Sequence, residues 1–187
     1  MVAVTVVFAP ASSLAQTQQE EQPFVRSRDQ KAVETSTDVI NIVLPTAALA
    51  AVLIQQDWKG LIQGIETAGA TAAATLILKY SIKEWRPDRH DTHSFPSGHT
   101  SMSFASAAFI QRRYGWKFGA PAYALATYVG WGRVFSKKHH WWDVVAGAAI
   151  GAGSAYIFTR PFAKKHDLQI APVSDGRNVG VYCSMAF

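Results

Sequence analysis

Five apolar segments rich in small residues are the feature that most restricts how this chain can fold. They cover residues 38–54, 61–80, 101–110, 118–135 and 144–159, and polar or Gly/Pro-rich breaks separate them. Stretches such as AGATAAATLIL and VVAGAAIGAGSAYIF carry little side-chain bulk, so they favour helices that pack closely. The pattern predicts an all-α fold, a compact bundle of about five core helices.

The segments leave open whether this bundle lies in a membrane or in water. They are about 10 to 20 residues long, whereas a bilayer span needs roughly 20, and they carry Asn41, Gln63 and Glu66. The mean hydropathy of +0.03 is modest for a chain made entirely of membrane spans. A membrane-embedded bundle is therefore possible on length, but the sequence does not require it.

The rest of the chain divides into three parts. In residues 1–15 the apolar run VAVTVVFAP precedes the small-residue segment SSLAQ, which indicates an export signal or, because no Lys or Arg precedes it, an anchor. Residues 16–37 are polar without a periodic apolar face and predict a solvated linker. The helical domain then covers 38–165, and residues 166–187 predict a short hairpin or an extended tail.

The charge balance favours an anionic partner. Lys and Arg number 18 against 13 Asp and Glu, which gives a formal net charge of +5. Such an excess suits a phosphorylated substrate, a lipid headgroup surface or nucleic acid. Nucleic acid is the weakest of these, because the basic residues are scattered among apolar segments without a basic run. The single cysteine, Cys183, excludes an intrachain disulfide and a cysteine-built metal site.

The segment HSFPSGHTS places polar groups just ahead of the third apolar segment. Ser97 suits a helix N-cap, His99 then falls in the first turn, and Gly98 permits close approach to the backbone. Because unpaired N–H groups and the positive end of the helix dipole lie there, the segment is a candidate anion site with a proton donor beside it. The simpler interpretation is ordinary capping chemistry with a solvated histidine.

A second charged segment lies at the end of the second apolar segment. KYSIKEWRP places Lys79 and Arg86 seven residues apart, about two helical turns, and Pro87 then stops the helix. Snorkelling, or pairing with the C-terminal end of the helix dipole, explains such residues equally well. The loop that follows contains HDTH at 90–93, whose histidines could ligate a metal, although solvent-facing loop residues are the simpler interpretation.

The third charged segment, GRVFSKKHHWWD, leads into the fifth apolar segment. It contributes Arg133, His139 and Asp143, and the four-residue separation of the last two suits neighbours on a helix. A carboxylate that holds one imidazole nitrogen leaves the other basic, as a histidine nucleophile requires. His140, three residues before Asp143, is an alternative partner, and the tryptophan pair that follows fits packing or interfacial anchoring.

Together the three segments resemble the signature of the type 2 phosphatidic acid phosphatase and vanadium haloperoxidase superfamily. Their order and spacing agree across residues 79–143, although Gly132 stands where the family usually has Ser, so a phosphate hydrogen bond is either lost or supplied by a backbone N–H. The resemblance implies two-step phosphoryl transfer with no metal and no cofactor. The implied catalytic residues are His139 as nucleophile, His99 as acid and Asp143 as the group that orients His139, and the implied phosphate ligands are Lys79, Arg86, Ser97, Gly98 and Arg133.

The resemblance and the apolar helices lead us to expect an exported phosphatase for phosphomonoesters or pyrophosphates of lipids at a membrane surface. The distribution of basic residues, after those of the site are set aside, predicts an active site outside the cytoplasm. A soluble periplasmic acid phosphatase of broad specificity is the alternative. A vanadium haloperoxidase is disfavoured because the chain has little room for extra helices. A non-catalytic scaffold is disfavoured because the expected catalytic side chains are all present.

Overall fold

The protein is an α-helical bundle with a β-hairpin after it. A computed structural model describes residues 24–162, 167–174 and 179–186. The helices are α1 (Arg28–Ile54), α2 (Trp58–Ser81), α3 (Gly98–Tyr114), α4 (Trp116–Phe135) and α5 (Trp141–Phe158). The predicted all-α bundle of five core helices is confirmed. The expected signal or anchor at 1–15 lies outside the described residues.

α3 is the central helix and packs against each of the other four helices. Small residues allow its closest approach, which is to α5. A Cβ added at Gly151 of α5 would lie 2.0 Å from the carbonyl oxygen of Ser101, and one added at Gly147 would lie 2.7 Å from that of Ser97. The glycines of VVAGAAIGAG therefore place the start of α5 directly against the start of α3.

α1 and α2 leave much of their apolar surface uncovered. Their most apolar 18-residue windows have mean hydropathies of 1.9 and 1.3, and only 22% and 17% of those windows are buried. By length and composition, these two among the described helices could cross a membrane. Large side chains such as Ile42, Leu53 and Ile77 are exposed on them. The two helices fit a membrane protein, because water would meet this surface at a cost in free energy.

The polar linker predicted for 16–37 is too long, because residues 28–37 belong to α1. Ser27 and Gln30 form a capping box in which each side chain accepts a hydrogen bond from the other's backbone N–H, at 3.2 and 3.0 Å. Thr37 is fully buried, so this first part of α1 packs on the bundle despite its polar composition. The capping-box spacing of Ser27 and Gln30 in the sequence indicates this helix start.

The second helix ends earlier than predicted, and Arg86 lies outside it. α2 stops at Ser81, so Lys79 and Arg86 are not two turns apart on one helix. The chain after α2 instead folds back on itself, where Glu84 N–H donates to Thr92 O at 2.9 Å and Ser94 N–H donates to Glu84 O at 3.0 Å. These backbone pairs replace the helical ones and set Arg86 in a loop.

The chain ends in an antiparallel hairpin of β1 (Asp167–Ser174) and β2 (Val179–Ala186), in which Ile170 lies opposite Cys183. Of the two predicted forms of the tail, the hairpin is the observed one.

Candidate active site

The three charged segments meet at one end of the bundle and are tied together by hydrogen bonds. Lys79 in the last turn of α2 donates to Pro96 O at 2.9 Å and to His93 O at 2.8 Å. The backbone N–H of Ser97, the N-cap of α3, donates to Asp143 O at 3.0 Å. Antiparallel helices thus bring together residues that lie far apart in the sequence.

His139 and Asp143 form a buried pair. The exposed fraction of His139 is 3% and that of Asp143 is 0%, and His139 Nδ1 lies 3.5 Å from Asp143 Oδ2. The expected helical relation between them is wrong, because α5 begins at Trp141 and His139 precedes its N-cap, His140. Asp143 is held instead from several sides, since Oδ2 accepts from the Ser94 hydroxyl at 2.5 Å and from the His140 N–H at 2.8 Å.

His140 has a different environment from His139. Its Nδ1 lies 3.4 Å from Glu84 Oε1 and 3.6 Å from Asp143 Oδ2, and its ring stacks on Trp142 with centroids 4.5 Å apart. The His140 side chain is 27% exposed, whereas that of His139 is 3% exposed. Burial and proximity to the cations favour His139 as the nucleophile over His140.

Two arginines of the site keep hydrogen-bonding capacity. Arg86 Nε lies 3.1 Å from Asp91 Oδ1, and Arg133 Nη1 donates to Asp38 Oδ1 at 2.7 Å. The Nε atoms of both are buried; that of Arg133 has no hydrogen-bond partner among the described residues, and that of Arg86 has the ion-pair contact with Asp91 but no hydrogen bond. Both guanidinium groups therefore have donors available for an anion, and a phosphoryl group is the anion that such groups bind well.

The start of α3 also has groups for an anion. Ser97 is fully buried and its Oγ accepts from the Thr100 hydroxyl at 2.9 Å, but it does not accept a capping hydrogen bond from a backbone N–H of the first turn. The nearest atom that a Cβ added at Gly98 would meet is Thr75 Cγ2, at 3.8 Å. The backbone of this helix start is thus accessible from the side of Gly98, and the N–H groups there can donate to an oxyanion.

The electrostatics of the site give His139 and Asp143 defined charge states. Burial lowers the pKa of His139, and although Asp143 opposes this, Arg133 and the other cations lower it further. Burial alone would raise the pKa of Asp143, but the contact with His139 and the hydrogen bonds from Ser94 and the His140 N–H hold it below its usual range. At neutral pH a neutral imidazole therefore contacts a charged carboxylate, as a nucleophile and its orienting group require.

His99 lies in the first turn of α3, as predicted, and contacts α1. Its Nε2 is 3.1 Å from Asp38 Oδ1. Burial lowers its pKa to about 4, and the charge of Arg133 acts in the same direction, while Asp38 opposes both. An acid has to carry a proton, so the role implied for His99 depends on negative charge close to its ring.

A metal has one candidate position among the described residues. Ligand atoms of Glu84, His140 and Asp143 lie within 4.8 Å of one another. The carboxylate oxygens there already accept hydrogen bonds, since Glu84 Oε1 accepts from Trp142 Nε1 at 2.7 Å and Asp143 Oδ2 accepts from the Ser94 hydroxyl at 2.5 Å. The trio fits a hydrogen-bonded network around Asp143 better than a cation site. The HDTH loop is not part of it.

Two residues of the site were missed by the sequence analysis. Ser94 orients Asp143, and nothing in its sequence context indicates this. Asp38 contacts both His99 and Arg133, and its signal was available, because a carboxylate at the start of a long apolar segment is rare without a function.

Gly132, which departs from the usual family pattern, has a packing role. A Cβ at this position would lie 2.4 Å from Thr37 Cγ2 and 3.0 Å from Val33 Cγ1, both on α1. The glycine therefore lets α1 approach α4 next to Arg133.

Comparison with known proteins gives a consistent set of relatives. The family model of the PAP2 superfamily matches residues 60–167. A lipid A 4'-phosphatase of Helicobacter pylori is 35% identical over 107 residues, which are 57% of this chain and 53% of that protein. A lipid A 1-phosphatase of Porphyromonas gingivalis is 37% identical over 76 residues, which are 39% of this chain and 17% of that protein. The chain thus spans about half, or less, of the length of these relatives.

A solved structure shares the fold. The crystal structure of Aquifex aeolicus LpxE superposes with a TM-score of 0.52 at 20% identity, over 72% of this chain and 94% of that chain. At this identity the likeness concerns the arrangement of the helices.

Proposed function

The chain belongs to the PAP2 superfamily, and we propose that it is a metal-independent phosphatase that acts on phosphorylated lipids through a phosphohistidine. One observation carries the proposal. The buried imidazole of His139 lies 3.5 Å from the charged Asp143 and within the field of Arg133. A neutral, oriented imidazole among cations is suited to attack a phosphorus atom that carries negative charge.

In the first step, the His139 nitrogen turned away from Asp143 attacks phosphorus. Because Nδ1 faces Asp143, this nitrogen is Nε2. The bond from phosphorus to the leaving oxygen breaks with its electron pair, and His99 gives that oxygen a proton. Lys79, Arg86, Arg133, Ser97 and the Gly98 N–H bind the phosphoryl oxygens and stabilise the charge spread over them.

In the second step, water attacks the phosphohistidine. His99, which is neutral after the first step, removes the proton from this water, and the bond between phosphorus and His139 breaks. Phosphate leaves, and His99 regains its proton and His139 its lone pair. The same two histidines thus serve both steps, and Asp143 stabilises the positive charge that His139 carries while it is phosphorylated.

Three observations support a lipid substrate and a membrane location. α1 and α2 are long, apolar and little buried. The two bacterial relatives described above are lipid A phosphatases by name, and other relatives are named as phosphatidate or phospholipid phosphatases. The site lies at one end of the bundle, where a headgroup at the membrane surface can reach it. We propose that this end faces away from the cytoplasm, in agreement with the charge distribution of the sequence.

The proposal is tested by assaying the purified protein in detergent against phosphatidic acid, a polyprenyl diphosphate, lipid A and p-nitrophenyl phosphate, with and without EDTA. We expect hydrolysis of at least one lipid substrate, the same rate in EDTA, and inhibition by vanadate, which resembles the transferring phosphoryl group. Loss of activity in EDTA with recovery on addition of a divalent cation would contradict the metal-free mechanism. A preference for soluble esters over every lipid, with release from membranes without detergent, would favour the soluble acid phosphatase.

A further inference from the structure

We propose that Asp38 of α1 is a positioning residue that fixes the orientation of His99 and favours its protonated form for proton donation. The inference rests on the proposed function, because it assigns Asp38 a part in the same reaction. Asp38 lies outside the residues matched by the family model, and the three charged segments do not include it.

The geometry places one carboxylate oxygen between two groups of the site. Asp38 Oδ1 accepts from Arg133 Nη1 at 2.7 Å and lies 3.1 Å from His99 Nε2. These contacts join α1 to the start of α3 and the end of α4. A carboxylate in this position restricts the rotation of the His99 ring and directs its other nitrogen, Nδ1, away from α1.

The packing of α1 explains how Asp38 reaches this position. Thr37 is fully buried and packs against the backbone of α4 at Gly132, where an added Cβ would lie 2.4 Å from Thr37 Cγ2. Asp38 follows Thr37 on α1, and Arg133 follows Gly132 on α4. The contact of Thr37 with Gly132 therefore brings Asp38 and Arg133 together. The absence of a side chain at Gly132 thus leaves the space that α1 needs to place Asp38 beside Arg133.

The charges around His99 show why such a carboxylate is needed. Arg133 from α4 and His139 from the loop before α5 both face His99 and disfavour its protonated form, as does burial. Asp38 from α1 is the group that favours the protonated form, and its side chain is 47% exposed. Without Asp38 the pKa of His99 would lie lower still, and the protonated acid would be rarer.

Asp38→Asn tests the inference, because it removes the charge and keeps the shape. Phosphoenzyme formation is followed in the first turnover with phosphatidic acid and with p-nitrophenyl phosphate, between about pH 2.5 and 8. A lipid alkoxide needs a proton to leave and a nitrophenolate does not, so we expect a loss of about tenfold or more on phosphatidic acid and a small change on p-nitrophenyl phosphate. Because His99 has to be protonated, the rate on phosphatidic acid falls as the pH rises through the pKa of His99. We expect this descending limb of the pH–rate profile, the pH limb, to move by about one unit to lower pH in Asp38→Asn.

Asp38→Glu and Glu34→Gln are the matched variants. Asp38→Glu keeps the charge and should restore most of the rate on phosphatidic acid. Glu34 lies one turn earlier on the same helix and contacts Lys138 and Arg26 at 2.9 and 3.4 Å, so Glu34→Gln removes an ion-paired carboxylate that does not contact His99. Its pH limb should stay where it is in the wild type.

Equal losses on both substrates in Asp38→Asn, with an unmoved pH limb, would overturn the inference and leave Asp38 as an anchor of α1. Should Asp38→Asn fail to fold, Asp38→Glu and the wild type are compared by NMR titration of labelled His99, whose signal is assigned with His99→Asn. A His99 signal that titrates at the same pH in both proteins, although the carboxylate has moved, would also overturn the inference. If the wild type hydrolyses none of the lipids in the panel above and no p-nitrophenyl phosphate, the proposed function fails, while the NMR titration still decides whether Asp38 sets the charge of His99.

Discussion

Each end of the bundle contains a buried arginine next to a carboxylate, but the two pairs differ in how completely they are satisfied. At the end opposite the site, Arg113 donates to Asp57 through Nε at 2.6 Å and Nη2 at 2.5 Å, and through Nη1 to Arg160 O at 2.7 Å. At the site, Arg133 has one bond to Asp38, and its Nε has no partner among the described residues. The Asp57 side chain is 3% exposed and the Asp38 side chain 47%.

The same contrast holds for all buried polar atoms. Within the described part of the chain, the buried side-chain atoms without a hydrogen bond all lie at or beside the site, on Thr75, Arg86, Arg133, His139, His140 and Asp143. Those of Arg86, His139 and His140 have only ion-pair contacts with carboxylates, at 3.1 to 3.6 Å. Native proteins leave few such groups, because each costs free energy. The comparison teaches that the end with Arg113 stabilises the fold, whereas the end with Arg133 keeps polar groups ready for a ligand at a cost in stability.

The largest effect on stability is expected from Asp57→Ala. This change leaves Arg113 as an uncompensated buried charge and removes the N-cap of α2, where Asp57 Oδ1 accepts from Gly60 N–H at 2.9 Å. We expect the free energy of unfolding to fall by about 3 to 5 kcal/mol. Thermal unfolding in detergent measures this, and the activity of the fraction that remains folded should be close to that of the wild type.

Asp29→Ala is the control for this prediction. Asp29 is an exposed acidic residue in the first turn of α1, and its removal should change stability by less than about 1 kcal/mol. If Asp57→Ala instead abolished turnover without lowering the unfolding temperature, the division between a stabilising end and a functional end would be wrong.

A smaller effect is expected from two glycine substitutions that separate packing from binding. Gly151→Ala would bring a Cβ to 2.0 Å from Ser101 O and force α5 away from α3, at a cost of about 1 to 3 kcal/mol in stability.

Gly98→Ala meets only the Thr75 methyl group within 4 Å, at 3.8 Å, so it should leave the fold as stable as before or slightly more stable. Its expected effect is a raised KM, because the new methyl group occupies the side from which an oxyanion approaches. A Gly98→Ala protein with unchanged KM would remove Gly98 from the phosphate site.

Much of the fold was predictable because the apolar segments are long and their breaks are marked by Pro and Gly. The helix boundaries were less predictable where polar residues form helix, as in residues 28–37, since burial of Thr37 on Gly132 depends on a contact between distant segments. The three charged segments meet at one end because helices that follow each other in the chain run antiparallel, so the ends of α2 and α4 lie beside the starts of α3 and α5.

The parts of the site that could not be predicted are those set by tertiary contacts. The relation of His139 to Asp143 comes from the loop before α5 and from the hydrogen bond of Ser94 to Asp143, not from a helical repeat. The position of Arg86 depends on the backbone pairs of Glu84 in the returning loop. Neither leaves a pattern in the local sequence, because the partners are separated by loops whose course the sequence does not indicate.

The central claim is that His139 carries the phosphoryl group, and trapping of the phosphoenzyme tests it most directly. The wild-type protein is mixed with a ³²P-labelled lipid phosphate, quenched in alkali within the first turnover, and separated from free phosphate. We predict a bound phosphate that is stable in alkali and lost in acid, as a phosphohistidine is, and its absence in His139→Ala but not in His140→Ala. A label that persists in His139→Ala, or one that is lost in alkali and stable in acid, would contradict the account.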